Sequence, residues 1–90
     1  MLILSNDLIG LFAALCTTSS FVPQALQTIR TQNTASISLS MYVIFATGTL
    51  CWAFYGYQIH SISVLLANAI TEILVLIILS IKIKNDVLKI

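Results

Sequence analysis

This sequence carries little charge. Only 8% of its 90 residues are Asp, Glu, Lys or Arg, against about a quarter in an ordinary soluble domain. With 59% of the residues hydrophobic, a membrane class follows before any motif is read. Four basic and three acidic residues leave a net charge of +1, too little for the basic surface that a nucleic-acid binder presents. The one histidine, His60, and the two cysteines, Cys16 and Cys51, do not fall at metal-ligand spacing, so no metal or other cofactor is expected. Both cysteines lie in apolar stretches and read as small packing residues, not as a disulfide framework, which belongs to small secreted domains. No glycine-rich phosphate loop and no nucleophile placed beside a base can be found, so an enzyme is the least supported class. The length allows a single domain, 1–90.

Proline is scarcer still, and the one proline sits where it matters most. Pro23 lies in Phe21-Val22-Pro23-Gln24, inside a stretch that otherwise reads as a membrane helix. It lacks the backbone N–H that would bond the Ser19 carbonyl, and its ring crowds that turn. In hydrocarbon such a break persists only where neighbouring helices, hydroxyls or water take up the freed group. Thr17-Thr18-Ser19-Ser20 stand directly before it. The combination predicts a bendable joint, with hydroxyls able to bond the freed carbonyl in one geometry and release it in another.

A hydrocarbon core about 30 Å thick needs about 20 helical residues. Three segments qualify, 8–29, 39–57 and 62–83, so the fold class is an all-α membrane protein with three transmembrane helices. Arg30-Thr31-Gln32-Asn33-Thr34-Ala35-Ser36 forms a polar connector between the first two spans, and Gln58-Ile59-His60-Ser61 a short turn between the last two. With three spans, Arg30, Lys82, Lys84 and Lys89 all fall on one side of the bilayer. The positive-inside rule assigns that side to the cytoplasm, with the C-terminus there and the N-terminus outside. Three helices leave little room for a polar path between them. Two copies facing the same way give six helices around an axis along the membrane normal, so a symmetric homodimer is expected.

Several polar or aromatic side chains inside the spans are candidates for function. Trp52 is either part of an interfacial aromatic belt, with Tyr55 and Tyr57, or a platform for the apolar face of a sugar ring. Asn68 and Glu72, four residues apart, are expected on one face of span three, looking into the bundle or a wet cavity. Asn68 offers donors and acceptors suited to a hydroxyl-rich solute, or else it bonds neighbouring helices. Glu72 is either a neutral acid bonded to a carbonyl near the Pro23 break or a proton-linked group. Gly48 and Gly56, eight apart in span two, are expected to permit close helix approach. His60 reads as a solvated turn residue.

In order along the chain, Phe21-Val22-Pro23-Gln24, Asn33-Thr34, Ile37-Ser38, Met41-Tyr42, Gly48, Trp52, Tyr55-Gly56, Leu66-Ala67-Asn68-Ala69 and Thr71 resemble the SemiSWEET proteins, bacterial sugar transporters of the PQ-loop group. The similarity runs from Leu8 to about Lys84. It implies a three-helix bundle in the order 1-3-2, with span three packed between the other two, and a parallel symmetric dimer. It also implies that Trp52 and Asn68 contact sugar, that Pro23 with Gln24 forms the hinge, and that Phe21, Met41 and Phe45 lie near the inner gate. Tyr55 matches an outer-gate tyrosine. Some relatives close that gate with an Arg–Asp pair in the outer turn. Ile59-His60-Ser61 supplies neither, which leaves Tyr55, Tyr57 or His60 to close it. Glu72 stands where an apolar residue is expected.

The expected function is facilitated uniport of a sugar of the glucose or sucrose class across a bacterial inner membrane, by alternating access in a homodimer. A proton-coupled carrier of another small metabolite using Glu72, and a non-transporting membrane assembly subunit, are the rival readings.

Overall fold

The computed structural model describes residues 2–89. Span one is built from two helices, α1 (Leu2–Ser19) and α2 (Phe21–Thr31); span two is α3 (Leu39–Gln58) and span three is α4 (Ile62–Ile83). A π-helical extension, Lys84–Leu88, continues α4. Helix α1 extends ahead of the apolar span, which itself starts at Leu8 as hydropathy places it and runs to Thr31.

Local chemistry sets the helix ends. Ser38 and Ser61 are extended N-caps whose hydroxyls accept the Met41 and Val64 N–H groups at 3.2 and 3.3 Å, satisfying donors that the first turn leaves free. Span one ends at Gln32, which turns left-handed (φ 57°) and returns its N–H to the Thr28 carbonyl at 2.8 Å, the usual way of closing a helix C-terminus. His60 is also left-handed (φ 57°) and makes the tight turn into span three.

The helices stand side by side. The protomer measures 52 × 23 × 15 Å, so its thinnest dimension is little more than one helix diameter of ~10–12 Å. Span three occupies the middle of the row, packed against both others, while the backbones of spans one and two do not approach within 8 Å. The spatial order is thus 1-3-2. A row of this kind has no enclosed interior, and many large apolar side chains point outward, where lipid can receive them.

The core that does exist lies towards the connector. Ala25, Ile37, Tyr42, Ala46, Val75, Ile78 and Leu79 are buried together there. The connector is also held down by polar contacts. Lys82, buried at 6% exposure, donates from Nζ to the Thr34 carbonyl at 2.9 Å and pairs with Asp86 at 2.7 Å. Asn85 Nδ2 reaches the Gln32 carbonyl at 2.9 Å and the Thr34 hydroxyl at 3.0 Å, and Lys84 Nζ reaches Gln32 Oε1 at 2.6 Å. Arg30, Lys82, Lys84 and Lys89 all belong to this end.

At the opposite end, Gly56 permits the closest helix approach. A Cβ there would lie 2.7 Å from the Leu65 backbone nitrogen. Gly48 does not share this role: a Cβ at 48 would meet nothing within 4 Å. Eight residues is slightly more than two turns of 3.6, and only Gly56 faces span three at close range. The packing role expected for Cys16 and Cys51 is likewise corrected, because both are exposed on the protomer surface. In a row of three, the outer faces of spans one and two have no neighbour to pack against.

Candidate functional site

Pro23 acts on the ladder of span one. The regular α-helix is interrupted at Ser20, yet Ser20 keeps right-handed helical angles (φ −66°, ψ −21°). The interruption is therefore a missing bond in a backbone that stays right-handed, as the absent Pro23 N–H requires. The hydroxyls before it bond other carbonyls in this state. Thr17 donates to Ala14 O at 3.3 Å, Ser19 to Cys16 O at 3.3 Å and Ser20 to Thr17 O at 2.6 Å. Among the described residues, none of them reaches the freed Ser19 carbonyl. Thr18 instead faces span three, sharing a hydrogen bond with Thr71 at 2.9 Å and reaching the Ala67 carbonyl at 3.3 Å.

Each half of span one consequently has its own attachment. The first half is tied to span three through Thr18. The second half packs Ala25 and Thr28 into the core and is joined to span two by side chains alone: Tyr42 Oη donates to Gln24 Oε1, and the Phe21 and Phe45 rings stand 5.3 Å apart, tilted by 34°. Met41, one turn before Phe45, is 59% exposed. Of the three expected gate residues, two are in contact within a protomer and the third projects from it.

Trp52 is 56% exposed. Its indole meets the Tyr55 ring edge-on, with centroids 5.6 Å apart and planes at 83°, a favoured aromatic geometry. With Gly48 and Cys51 the pair frames a shallow concavity of about 350 Å³. Gly48 stands one turn from Trp52 on the same face and leaves the space beside the indole open. Tyr57 is directed elsewhere, into an apolar concavity with Leu50, Phe54 and Leu65.

Asn68 lies in a different concavity, of about 310 Å³, between the first half of span one and span three, with Gly10, Thr17, Ser63 and Thr71. Its Nδ2 donates back to the Val64 carbonyl at 2.9 Å, leaving its Oδ1 without a donor among the described residues. A single protomer therefore does not bring Trp52 and Asn68 into one pocket. Glu72 departs from expectation more clearly. It accepts a hydrogen bond from the Thr49 hydroxyl of span two, so it faces away from the Pro23 break and does not share the surroundings of Asn68. Four residues along a helix differ by about 40°, which in a thin row is enough to send one side chain towards span one and the other towards span two.

The sequence reading missed the Thr18–Thr71, Gln24–Tyr42 and Thr49–Glu72 links and the Lys82 contacts. The intramembrane positions of Thr49, Thr71 and Lys82 were the available signal, since polar groups at such depth need partners.

The sequence matches the PQ loop repeat family over residues 6–65. It is 50% identical to the sugar transporter SemiSWEET of Escherichia coli, over 71% of this chain and 72% of that protein. It is 42% identical to the SemiSWEET of Leptospira biflexa, over 82% and 87%. Its fold superposes on a crystal structure of SemiSWEET in the inward-open conformation with a TM-score of 0.83 at 44% identity, covering 90% of this chain and 87% of that one. A crystal structure of a bacterial homologue of SWEET transporters gives 0.80 at 43%, covering 88% and 95%. Neither the motif series nor the 1-3-2 row stands alone, and together with these likenesses they establish that the chain belongs to the PQ-loop repeat family and, within it, to the SemiSWEET proteins.

Proposed function

We propose that this protein is a sugar uniporter, working as a parallel two-fold homodimer that exposes its site to each side of the membrane in turn. The observation that carries this reading is the state of Trp52 and Asn68. An exposed indole and an uncommitted amide oxygen sit on surfaces that a single row of three helices cannot enclose. A second copy facing them would bury both pairs on a common axis. The indoles then stack on the apolar face of a neutral ring, and the Asn68 oxygens accept from its hydroxyls. The naming of the E. coli and Leptospira relatives as sugar transporters supports the solute class, which we take as glucose- or sucrose-like.

Pro23 is the hinge in this reading and Gln24 its tie to span two. Phe21, Phe45 and Met41 form the inner gate, and Tyr55, with Tyr57 at the rim, the outer one. The gathering of Arg30, Lys82, Lys84 and Lys89 at the connector end supports a cytoplasmic connector and C-terminus and an external N-terminus, in a bacterial inner membrane.

The test is flux of radiolabelled glucose and sucrose into liposomes holding purified protein. Flux that is lost in Trp52→Ala and indifferent to a pH gradient is the expected result. Absence of flux from a folded dimer would sink the reading for these sugars. The Thr49–Glu72 bond favours one second reading, because an intramembrane carboxyl beside a hydroxyl has the chemistry of a proton relay. Flux that follows the pH gradient in the wild type and not in Glu72→Gln would establish it.

A further inference from the structure

One polar concavity of the protomer lies neither at Trp52 nor at Asn68. It lies at the connector end of span one, between the Ser20 interruption and the start of span two. It measures about 540 Å³ and is lined by Ser20, Gln24, Gln27, Thr31, Asn33 and Ser36, among others. That volume is within the ~300–1,000 Å³ of small-ligand pockets. None of its lining residues is charged.

The amides on the two sides of the connector are used differently. On the other side of the connector, Gln32 Nε2 is donated to the Ile29 carbonyl at 2.9 Å and Asn85 Nδ2 to the Gln32 carbonyl. Those amides are committed to structure. In the concavity, Gln24 uses only its oxygen, accepting from Tyr42, and Asn33 uses only its oxygen, accepting the Ala35 N–H at 3.0 Å. Gln27 makes no side-chain hydrogen bond among the described residues. Three amide NH₂ groups therefore border one neutral hollow with their donors uncommitted, and the Ser20 hydroxyl beside them, which donates to Thr17, keeps lone pairs to accept with.

We infer that this hollow is a second binding site for a neutral, hydroxyl-rich solute, a vestibule on the connector side of the hinge, separate from the Trp52 and Asn68 surfaces. The inference rests on the sugar-transport reading above. Its chemistry follows from the lining. Amide donors and hydroxyl acceptors match the alternating donor and acceptor of each sugar hydroxyl, whereas an anionic or cationic solute finds no counter-charge. No aromatic face lines the hollow, so it holds solute more weakly than an indole platform and discriminates less among sugars. Its position also gives it a task. Solute leaving the axis towards the connector passes the Phe21–Phe45 pair and meets these amides next.

Saturation-difference NMR with sucrose and glucose on the purified homodimer tests this, because it detects weak binding. Wild-type protein is expected to show a strong and a weak phase. Trp52→Ala should lose the strong phase and keep the weak one. Adding Gln27→Leu and Asn33→Ser should then weaken the remaining phase about tenfold, the worth of two or so hydrogen bonds. Serine at 33 retains an oxygen for the Ala35 N–H, so the connector turn survives. Should Trp52→Ala fail to give a monodisperse dimer, Gln27→Leu/Asn33→Ser on the wild-type background supplies the same reading by weakening only the weak phase. Loss of all binding in Trp52→Ala overturns the vestibule and leaves the transport reading standing. So does a weak phase that ignores the Gln27 and Asn33 changes. A change of oligomeric state in Gln27→Leu/Asn33→Ser overturns it too, by showing that the hollow is covered by the second copy. No sugar binding in the wild type overturns both readings together.

Discussion

The two ends of this protomer are built on different principles. Towards the connector, seven buried apolar residues pack together and Lys82, Lys84 and Asn85 hold the connector with hydrogen bonds. Towards the turn, span one is mostly exposed, Trp52, Tyr55 and Tyr57 project outward, and Gly56 leaves no room for a Cβ against the Leu65 backbone. The first end has a packed core within one chain, with only the polar hollow beside span one left open. The second presents surfaces that one chain cannot finish. A thin row of helices can be packed at one end and open at the other.

The largest test of that contrast is at the open end. Burying an aromatic side chain is worth about 1.5–3 kcal/mol, so removing both indoles of a dimer by Trp52→Ala should cut flux by at least about a hundredfold. Thermal unfolding of the purified protein should be nearly unchanged, because the ring has little to pack against within its own chain. A large fall in melting temperature would show that Trp52 is a packing residue.

Gly56→Val comes next. Its added carbons meet the Leu65 backbone, and overpacking of this kind costs about 1–3 kcal/mol, read as a lowered melting temperature in detergent. Gly48→Ala is the matched control. With open space beside it, it should keep the fold or gain up to ~1 kcal/mol of helix stability. Equal destabilisation by both would contradict the placement of the two glycines.

Pro23→Ala restores a ladder bond of about 1 kcal/mol in each subunit. It should slow flux roughly tenfold while sugar binding stays the same, and unchanged flux would remove the hinge role. At the clamped end, Lys82→Met deletes the contact to Thr34 and leaves half-exposed Asp86 to solvent. Removing a buried cation also removes its desolvation cost, so the net loss is only about 1 kcal/mol, and faster proteolysis at the connector should accompany it. The smallest effect is expected from Glu72→Gln. The amide oxygen still accepts from Thr49, so stability and uniport should hardly change.

The sequence read well where one segment carries the whole signal. Three spans, the interruption before Pro23 and the gathering of basic residues at one end follow from composition and from one missing N–H. The 1-3-2 order rested on the series of matched residues, since hydropathy says nothing of which spans touch. Cross-helix partners were not legible. Helical spacing put Asn68 and Glu72 on one face, but the depth of a face in a thin row decides which neighbour each side chain reaches. The clamp depends on the Thr34 carbonyl turning towards Lys82, a backbone orientation that no residue type announces. Likewise the eight-residue spacing of Gly48 and Gly56 could not say that only one faces span three.

The central place of span three also sets an order of assembly. It emerges after spans one and two during synthesis, yet both of them depend on it for backbone packing. Before it arrives, spans one and two have only side-chain links such as Phe21 to Phe45 and Gln24 to Tyr42 to hold them together. A two-span intermediate would thus lack backbone packing between its helices, and span three would act as a keystone. A chain that stops at the outer turn would span the membrane twice without acquiring a fold, and quality control at the membrane would meet it as two loose helices.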